Sequence, residues 1–212
     1  MIKLFKLLLE KVNLTEYSKN DAIPEIAQMK DHLCLFLFGP PASGKSTFVK
    51  DFILRLNRNF SMVNPDDIAY LLQKKDYGNE RPPGISRLSM SKAKSILQSG
   101  NNMIYDTTGN DFDRISLLTK EAKDNNYTTV FIHVLDSLDD ILSKAGRRER
   151  PTDIEYIKSS YSRTQKLIKR FYKELDPDSY YIVTTLGNKY KFYKYEDDKL
   201  LKRKVDKYEW LN

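Results

Sequence analysis

The sequence is poor in the residues that build metal centres and covalent cross-links. It has one cysteine, Cys34, and two histidines, His32 and His133, in 212 residues. A lone thiol builds no intrachain disulfide framework, so the chain is read as suited to a reducing compartment, the cytoplasm. Cys34 falls within an apolar run and is read as a small core residue. No His/Cys cluster has the spacing of a zinc site. Both histidines lie in strand-like runs and are read as packing or strand-end residues. Long apolar runs are also missing. Residues 1–12 hold Ile2, Leu4, Phe5, Leu7, Leu8 and Leu9, interrupted by Lys3, Lys6 and Glu10. That is too short and too broken for a membrane span or a signal-peptide core, and it predicts an amphipathic helix docked on the domain. Acidic side chains number 29 against 36 basic ones, a net charge of +7. A surplus of that size fits either a solvated basic face or a nucleic-acid partner.

What is present is local and specific. Gly39, Pro40, Pro41, Ala42, Ser43, Gly44, Lys45 and Ser46 spell G-x-x-x-x-G-K-S, followed by Thr47, directly after the apolar run 33–38. A buried strand before such a loop and a helix after it, here over 46–56, are the context that the nucleotide-phosphate loop requires. The two glycines let backbone N–H groups turn onto phosphate oxygens, and the helix adds the positive end of its dipole. Lys45 is placed to reach the β- and γ-phosphates, and the Ser46 hydroxyl to ligate Mg²⁺. The expectation is a bound nucleoside triphosphate.

Beyond the loop, strand-like and helix-like segments alternate. Strands are predicted over 33–38, 60–64, 102–106, 128–135 and 180–185. Helices are predicted from 68, after a turn at Pro65-Asp66-Asp67, and over 88–98, 111–124, 138–144 and 153–175. Residues 76–84 read as a Gly/Pro loop and 146–151 as a basic turn. Such alternation calls for a parallel sheet with helices on both faces. Residues 188–212 differ: Tyr190, Phe192, Tyr193 and Tyr195 alternate with lysines and lead to a second basic run, as in a β-hairpin extending the sheet edge. Basic-aromatic interleaving can stack single-stranded bases, but an amphipathic hairpin with one packed face is the preferred reading. The organisation is thus an amino-terminal region 1–30, a domain 31–187, and a hairpin 188–212 packed on it.

Ligands of parallel sheets sit at the carboxyl ends of the strands. Three further polar clusters fall at such ends: Asp66 and Asp67, then Asp106-Thr107-Thr108, then Arg147, Arg148 and Arg150. Acidic residues and an arginine cluster around a triphosphate describe phosphoryl transfer to a hydroxyl, one carboxylate taking the proton and the cations spreading charge.

The order GPPASGKST, VNPDDIA, AKSIL, YDTTGND and RRERPTDIEYIKSSYSRT resembles the P-loop kinases that include zeta toxins and polynucleotide 5′-kinases. The resemblance spans residues 31–185. It implies a three-layer α/β P-loop NTPase fold with a mainly parallel five-stranded sheet of order 2-3-1-4-5, ATP or GTP as donor, and a hydroxyl acceptor. By position it makes Asp66 the general base, Lys45 and Ser46 the phosphate and metal residues, and Arg148 or Arg150 the lid arginine. Asp106 would orient acceptor or metal, with Asp67, Thr107 and Arg147 beside the substrate. Polynucleotide kinases favour an arginine three residues after the base, where this chain has Ala69; zeta toxins often carry glutamate at the position of Asp106. The preferred acceptor is a small nucleotide-linked metabolite, with a nucleic-acid 5′ end as the alternative. A toxin-like chain would also have a neutralising protein partner. Two readings from other classes stay open: a nucleotide-dependent interaction module with no acceptor, and a nucleic-acid-binding protein that uses residues 188–212.

Overall fold

A computed structural model describes residues 13–17, 26, 28, 29, 32–51, 53, 56, 58–73, 83–147, 152–186 and 189–196. In chain order its elements are β1 (Asn13–Tyr17), β2 (Leu33–Phe38), α1 (Lys45–Asp51), β3 (Phe60–Val63), α2 (Pro65–Leu72), α3 (Ile85–Gln98), β4 (Asn102–Thr107) and α4 (Phe112–Asp124). There follow β5 (Thr128–Val134), α5 (Leu138–Ala145), α6 (Ile154–Leu175), β6 (Ser179–Leu186) and β7 (Lys189–Glu196). The predicted amino-terminal helix over 1–12 lies outside the described residues, as do most of the loop 76–84 and the second basic run after β7.

One seven-stranded sheet runs β1-β7-β6-β5-β2-β4-β3. Its five strands from β6 to β3 are parallel. Numbered from β2, those five strands have the order 2-3-1-4-5, as the resemblance implied. The antiparallel hairpin is made by β6 and β7, which pair from Tyr181–Lys194 to Leu186–Lys189. The far side of β7 pairs with β1, so the amino-terminal strand closes an edge that the carboxyl-terminal hairpin would otherwise expose. This strand was not foreseen; five residues without a clear alternation carry little signal.

The continuous apolar run of β2 is explained by burial on both faces. Cys34, Phe36 and Phe38 point into one core with residues of α3, α4 and α6, while Leu33, Leu35 and Leu37 point into the other with Phe48 and Val49 of α1. The same alternation runs through β5 and β6, giving three layers with the sheet in the middle. Tyr193 and Tyr195 of β7 are also buried, and Tyr195 packs its ring 4.4 Å from Tyr172 and 5.3 Å from Tyr180. Those two rings are therefore committed to the core rather than available to stack bases. Among the described residues no helix is long and apolar enough to cross a membrane.

Helix α2 starts three residues earlier than expected. Asn64 caps it, its Oδ1 accepting from Asp66 N at 2.8 Å, and Pro65 occupies the first helical position, where a missing N–H costs nothing. Asp66 and Asp67 consequently lie in the first turn of α2, not in a turn before it.

His133 belongs to the core. It is buried between Phe38 and Tyr180, and its Nδ1 shares a hydrogen bond of 2.8 Å with the Tyr180 hydroxyl. Burial holds its pKa down at about 3 against an ordinary 6.5. Above pH 6.5 the ring is neutral whether the chain is folded or not. Below 6.5 only the unfolded chain takes up the proton, so stability is lost as pH falls towards 3, at about 1.4 kcal/mol per pH unit. Urea midpoints measured between pH 7 and pH 5 should therefore fall less steeply for His133→Gln than for the wild type; parallel slopes would contradict this burial.

Candidate active site

The loop after β2 is folded back on itself by backbone geometry. Gly39 has φ +150°, and a Cβ there would lie 2.4 Å from the Val134 carbonyl oxygen and 2.7 Å from Ser43 Oγ. No larger residue fits that approach. Gly44 takes φ +93°, and Ala42 is held at φ +65°, a left-handed conformation that costs an alanine on the order of 1 kcal/mol. Ser43 N donates to Pro40 O at 3.2 Å, closing the turn, and Phe48 N donates to Gly44 O at 2.9 Å, opening α1. Lys45 Nζ reaches over this turn to the carbonyls of Gly39, at 2.9 Å, and Pro40, at 3.2 Å.

Beside the loop, Asp106, the penultimate residue of β4, has its carboxyl almost completely buried. Its Oδ2 accepts from Asn64 Nδ2 at 3.1 Å. Its Oδ1 lies 3.9 Å from Lys45 Nζ, close enough for an ion pair but too long for a hydrogen bond, so that oxygen has no hydrogen-bond partner among the described residues. Burial pushes the carboxyl up to about pKa 6; Lys45 pulls it down, and Asp66 and Asp67 push it up again. Asn64 thus does two tasks, capping the helix that carries Asp66 and tethering Asp106.

The segment from Thr107 to Asp111 is clasped by α6. Thr164 Oγ1 donates to Thr108 O at 3.1 Å, and Asn110 Nδ2 donates to Ser160 Oγ at 3.1 Å. The YDTTGND and SSYSRT segments, distant in sequence, are in direct contact. On the other side of the loop, Asp136 follows β5 with a buried carboxylate that pairs with Lys144 of α5. Ile141 and Ala145 of α5 pack on Ile157 and Tyr161 of α6, with Ala42 against them.

These pieces enclose one cavity of about 650 Å³. Pro41 through Thr47 line it, as do Asp66, Asp106 and Thr107. Gly39 and Pro40 lie behind the wall and hold Lys45. Asp67 is exposed in the first turn of α2 and is not on the wall; Arg147 is likewise exposed and off the wall. Arg148 and Arg150 lie outside the described residues. The cavity adds groups that pattern reading passed over: Asn64, Asn110, Asp111, Arg114 and Tyr156, and Lys144. Arg114 and Lys144 were hidden because a charged residue on an amphipathic helix reads as solvated surface. Their position within a turn or two of the strand ends was the available signal.

The oxygen donors present suit a hard divalent cation: the Ser46 hydroxyl and Asp106, whose buried Oδ1 has no hydrogen-bond partner among the described residues, line the same cavity.

A family model described as AAA domain matches residues 35–171. No curated protein matches the chain. Solved structures do. A chain of the AvrRxo1-ORF1:-ORF2 complex with ATP is 16% identical with a TM-score of 0.56, covering 89% of this chain and 64% of its own. A chain of the PezAT chromosomal toxin–antitoxin system of Streptococcus pneumoniae is 14% identical with a TM-score of 0.53, covering 86% and 76%. One from the Pnkp1/Rnl/Hen1 RNA repair complex is 19% identical with a TM-score of 0.55, covering 68% and 48%. At these identities the likeness is one of fold. The chain spans just under two thirds of the AvrRxo1 chains it matches.

The two roles of Asn64 separate it from its neighbour. Asn64→Ala, which removes a cap and leaves Asp106 without its amide partner, should lower unfolding free energy by about 1–2 kcal/mol. Asp67→Ala should stay within about 0.5 kcal/mol of the wild type. Chemical denaturation at neutral pH measures both, and equal effects would contradict the double role.

Proposed function

The chain belongs to the AAA-domain family as a P-loop kinase-like member, and from that premise we propose that it is an ATP-dependent phosphotransferase acting on a hydroxyl acceptor. The observation that carries the reading is the convergence of the phosphate loop, Asp66 and Asp106 on one cavity. Its volume of about 650 Å³ lies within the roughly 300–1,000 Å³ usual for small-molecule sites. A small nucleotide-linked acceptor is the reading preferred for it.

The loop amides and the start of α1 receive the donor's phosphates. Lys45 exchanges the Gly39 and Pro40 carbonyls for the β- and γ-phosphate oxygens, a gain because an anion attracts an ammonium more strongly than neutral dipoles do. Ser46 and Asp106 would hold Mg²⁺, which when bound neutralises phosphate charge. Asp66 accepts the acceptor's proton as the acceptor oxygen bonds to the γ-phosphorus and the bond from that phosphorus to the β,γ-bridging oxygen breaks, leaving ADP. Asn64 holds Asp66 and Asp106 in register. Arginines of the basic turn, Arg148 or Arg150, would close over the transferring group.

Asp66→Asn should keep affinity for ATP and lose about 10²-fold or more in turnover. Label transfer from [γ-³²P]ATP to nucleotide-linked alcohols and to 5′-hydroxyl oligonucleotides checks both halves of the reading. Transfer to oligonucleotides alone would replace the small acceptor with a polynucleotide end. Hydrolysis that is slow, acceptor-independent and indifferent to Asp66→Asn would refute the kinase reading altogether.

A further inference from the structure

Across the sheet, the strand ends divide the cavity. The loop after β2 takes the donor phosphates, and Lys144 approaches from the β5 side. The β4 and β3 ends lie on the opposite side, and they supply Asp106, Asn110, Asp111 and Arg114 together with Asn64 and Asp66. The acceptor must come from there, because Asp66 is there. An acceptor bearing a negative charge would meet Asp66 and Asp106 with repulsion unless a cation stood beside them.

Lys45 stands beside Asp106 but is taken by the donor phosphates, and Arg114, on the same cavity wall, is the cation left to the acceptor side. It is the arginine of the cavity wall among the described residues. It lies in the first turn of α4, where its backbone N–H donates to Asp111 Oδ1 at 3.1 Å and its Nη2 pairs with Asp111 Oδ2 at 2.6 Å. Its side chain is 24% exposed. A guanidinium so held has paid most of its ordering entropy and part of its desolvation before any ligand arrives. The guanidinium also faces the Tyr105 hydroxyl, but with five N–H donors it keeps others for a second anion. The start of α4 adds its positive dipole end to the same spot. On the same wall, Asn110 Oδ1 is buried without a hydrogen-bond partner among the described residues and can accept from a ligand hydroxyl or N–H.

We propose that Arg114, oriented by Asp111, is an anion subsite on the acceptor side of the cavity, and that the acceptor carries a phosphate group near its reacting hydroxyl. This rests on the phosphotransferase reading for the direction of entry. The guanidinium draws in the acceptor's phosphate, Asn110 accepts from a neighbouring donor on the same molecule, and the hydroxyl is thereby turned towards Asp66. Arg114 sets which alcohols are used, and Asp111 acts through it as a positioning residue.

The test fills the phosphate loop of the full chain with Mg²⁺ and AMP-PNP, then titrates inorganic pyrophosphate by calorimetry. The wild type should bind one further pyrophosphate. Arg114→Ala should weaken it at least tenfold and Arg114→Lys less, while affinity for AMP-PNP stays unchanged. Should either variant fail to fold, modification of wild-type arginines by phenylglyoxal, read by mass spectrometry, decides: pyrophosphate should protect Arg114 even with the loop filled. Absence of a second pyrophosphate site, undiminished binding by Arg114→Ala, or undiminished labelling of Arg114 would each overturn the proposal. Failure of AMP-PNP to bind would instead refute the nucleotide reading, and protection of Arg114 by pyrophosphate alone would then still decide the subsite.

Discussion

The close approach of Gly39 to the Val134 carbonyl fixes the rest of the site. It welds the first residue of the phosphate loop to the end of β5. Because β2 is central and buried on both faces, the loop leaves the sheet at one place and in one direction. The Ala42 strain, the turn closed by Ser43 and the start of α1 then follow within a few residues. Every other functional group is positioned relative to that turn by a neighbouring strand: Asp106 by β4, Asn64 and Asp66 by β3, Asp136 and Lys144 by β5. A rigid loop of this kind gives a ligand amides that are already oriented, so little ordering cost falls on binding.

Among the described residues, the three cations of the cavity wall are each held by a carboxylate. Lys45 faces Asp106, Arg114 faces Asp111, and Lys144 faces Asp136. Each cation is oriented by a carboxylate. The least comfortable member is Asp106, buried with one oxygen lacking a hydrogen bond and its pKa raised to about 6. A buried carboxyl so poorly satisfied is costly, and such costs persist where a ligand relieves them. Lys45, resting on the carbonyls of its own loop, is the complementary case: a cation on weak partners beside the place where phosphates would go.

Much of this was legible in the sequence because the signals were local. The phosphate loop is a contiguous motif, and the apolar runs over 33–38 and 128–135 are long enough to identify buried strands. The order 2-3-1-4-5 came through resemblance rather than from any single segment. What could not be read depended on distance or on a shared role. β1 has meaning only once β7 is beside it. Asn64 reads as the last residue of a strand until its amide is seen to bridge a helix cap and a carboxylate. Arg114 and Lys144 sit on amphipathic helices where charge is expected on the surface, and only the strand order brings them to one cavity. Asp67 and Arg147 show the converse: proximity in sequence to a site residue did not place them on its wall.

The central claim is that the turn after β2 is a prebuilt seat for the phosphates of a nucleoside triphosphate, with Lys45 as its movable charge. Calorimetric titration of Mg²⁺·ATP into the wild type and Lys45→Ala, at fixed ionic strength, tests it directly. One site in the wild type, weakened at least tenfold in a Lys45→Ala protein that remains folded at the temperature of the titration, is the predicted result. Equal affinity in the two proteins, or no ATP binding in either, would contradict it.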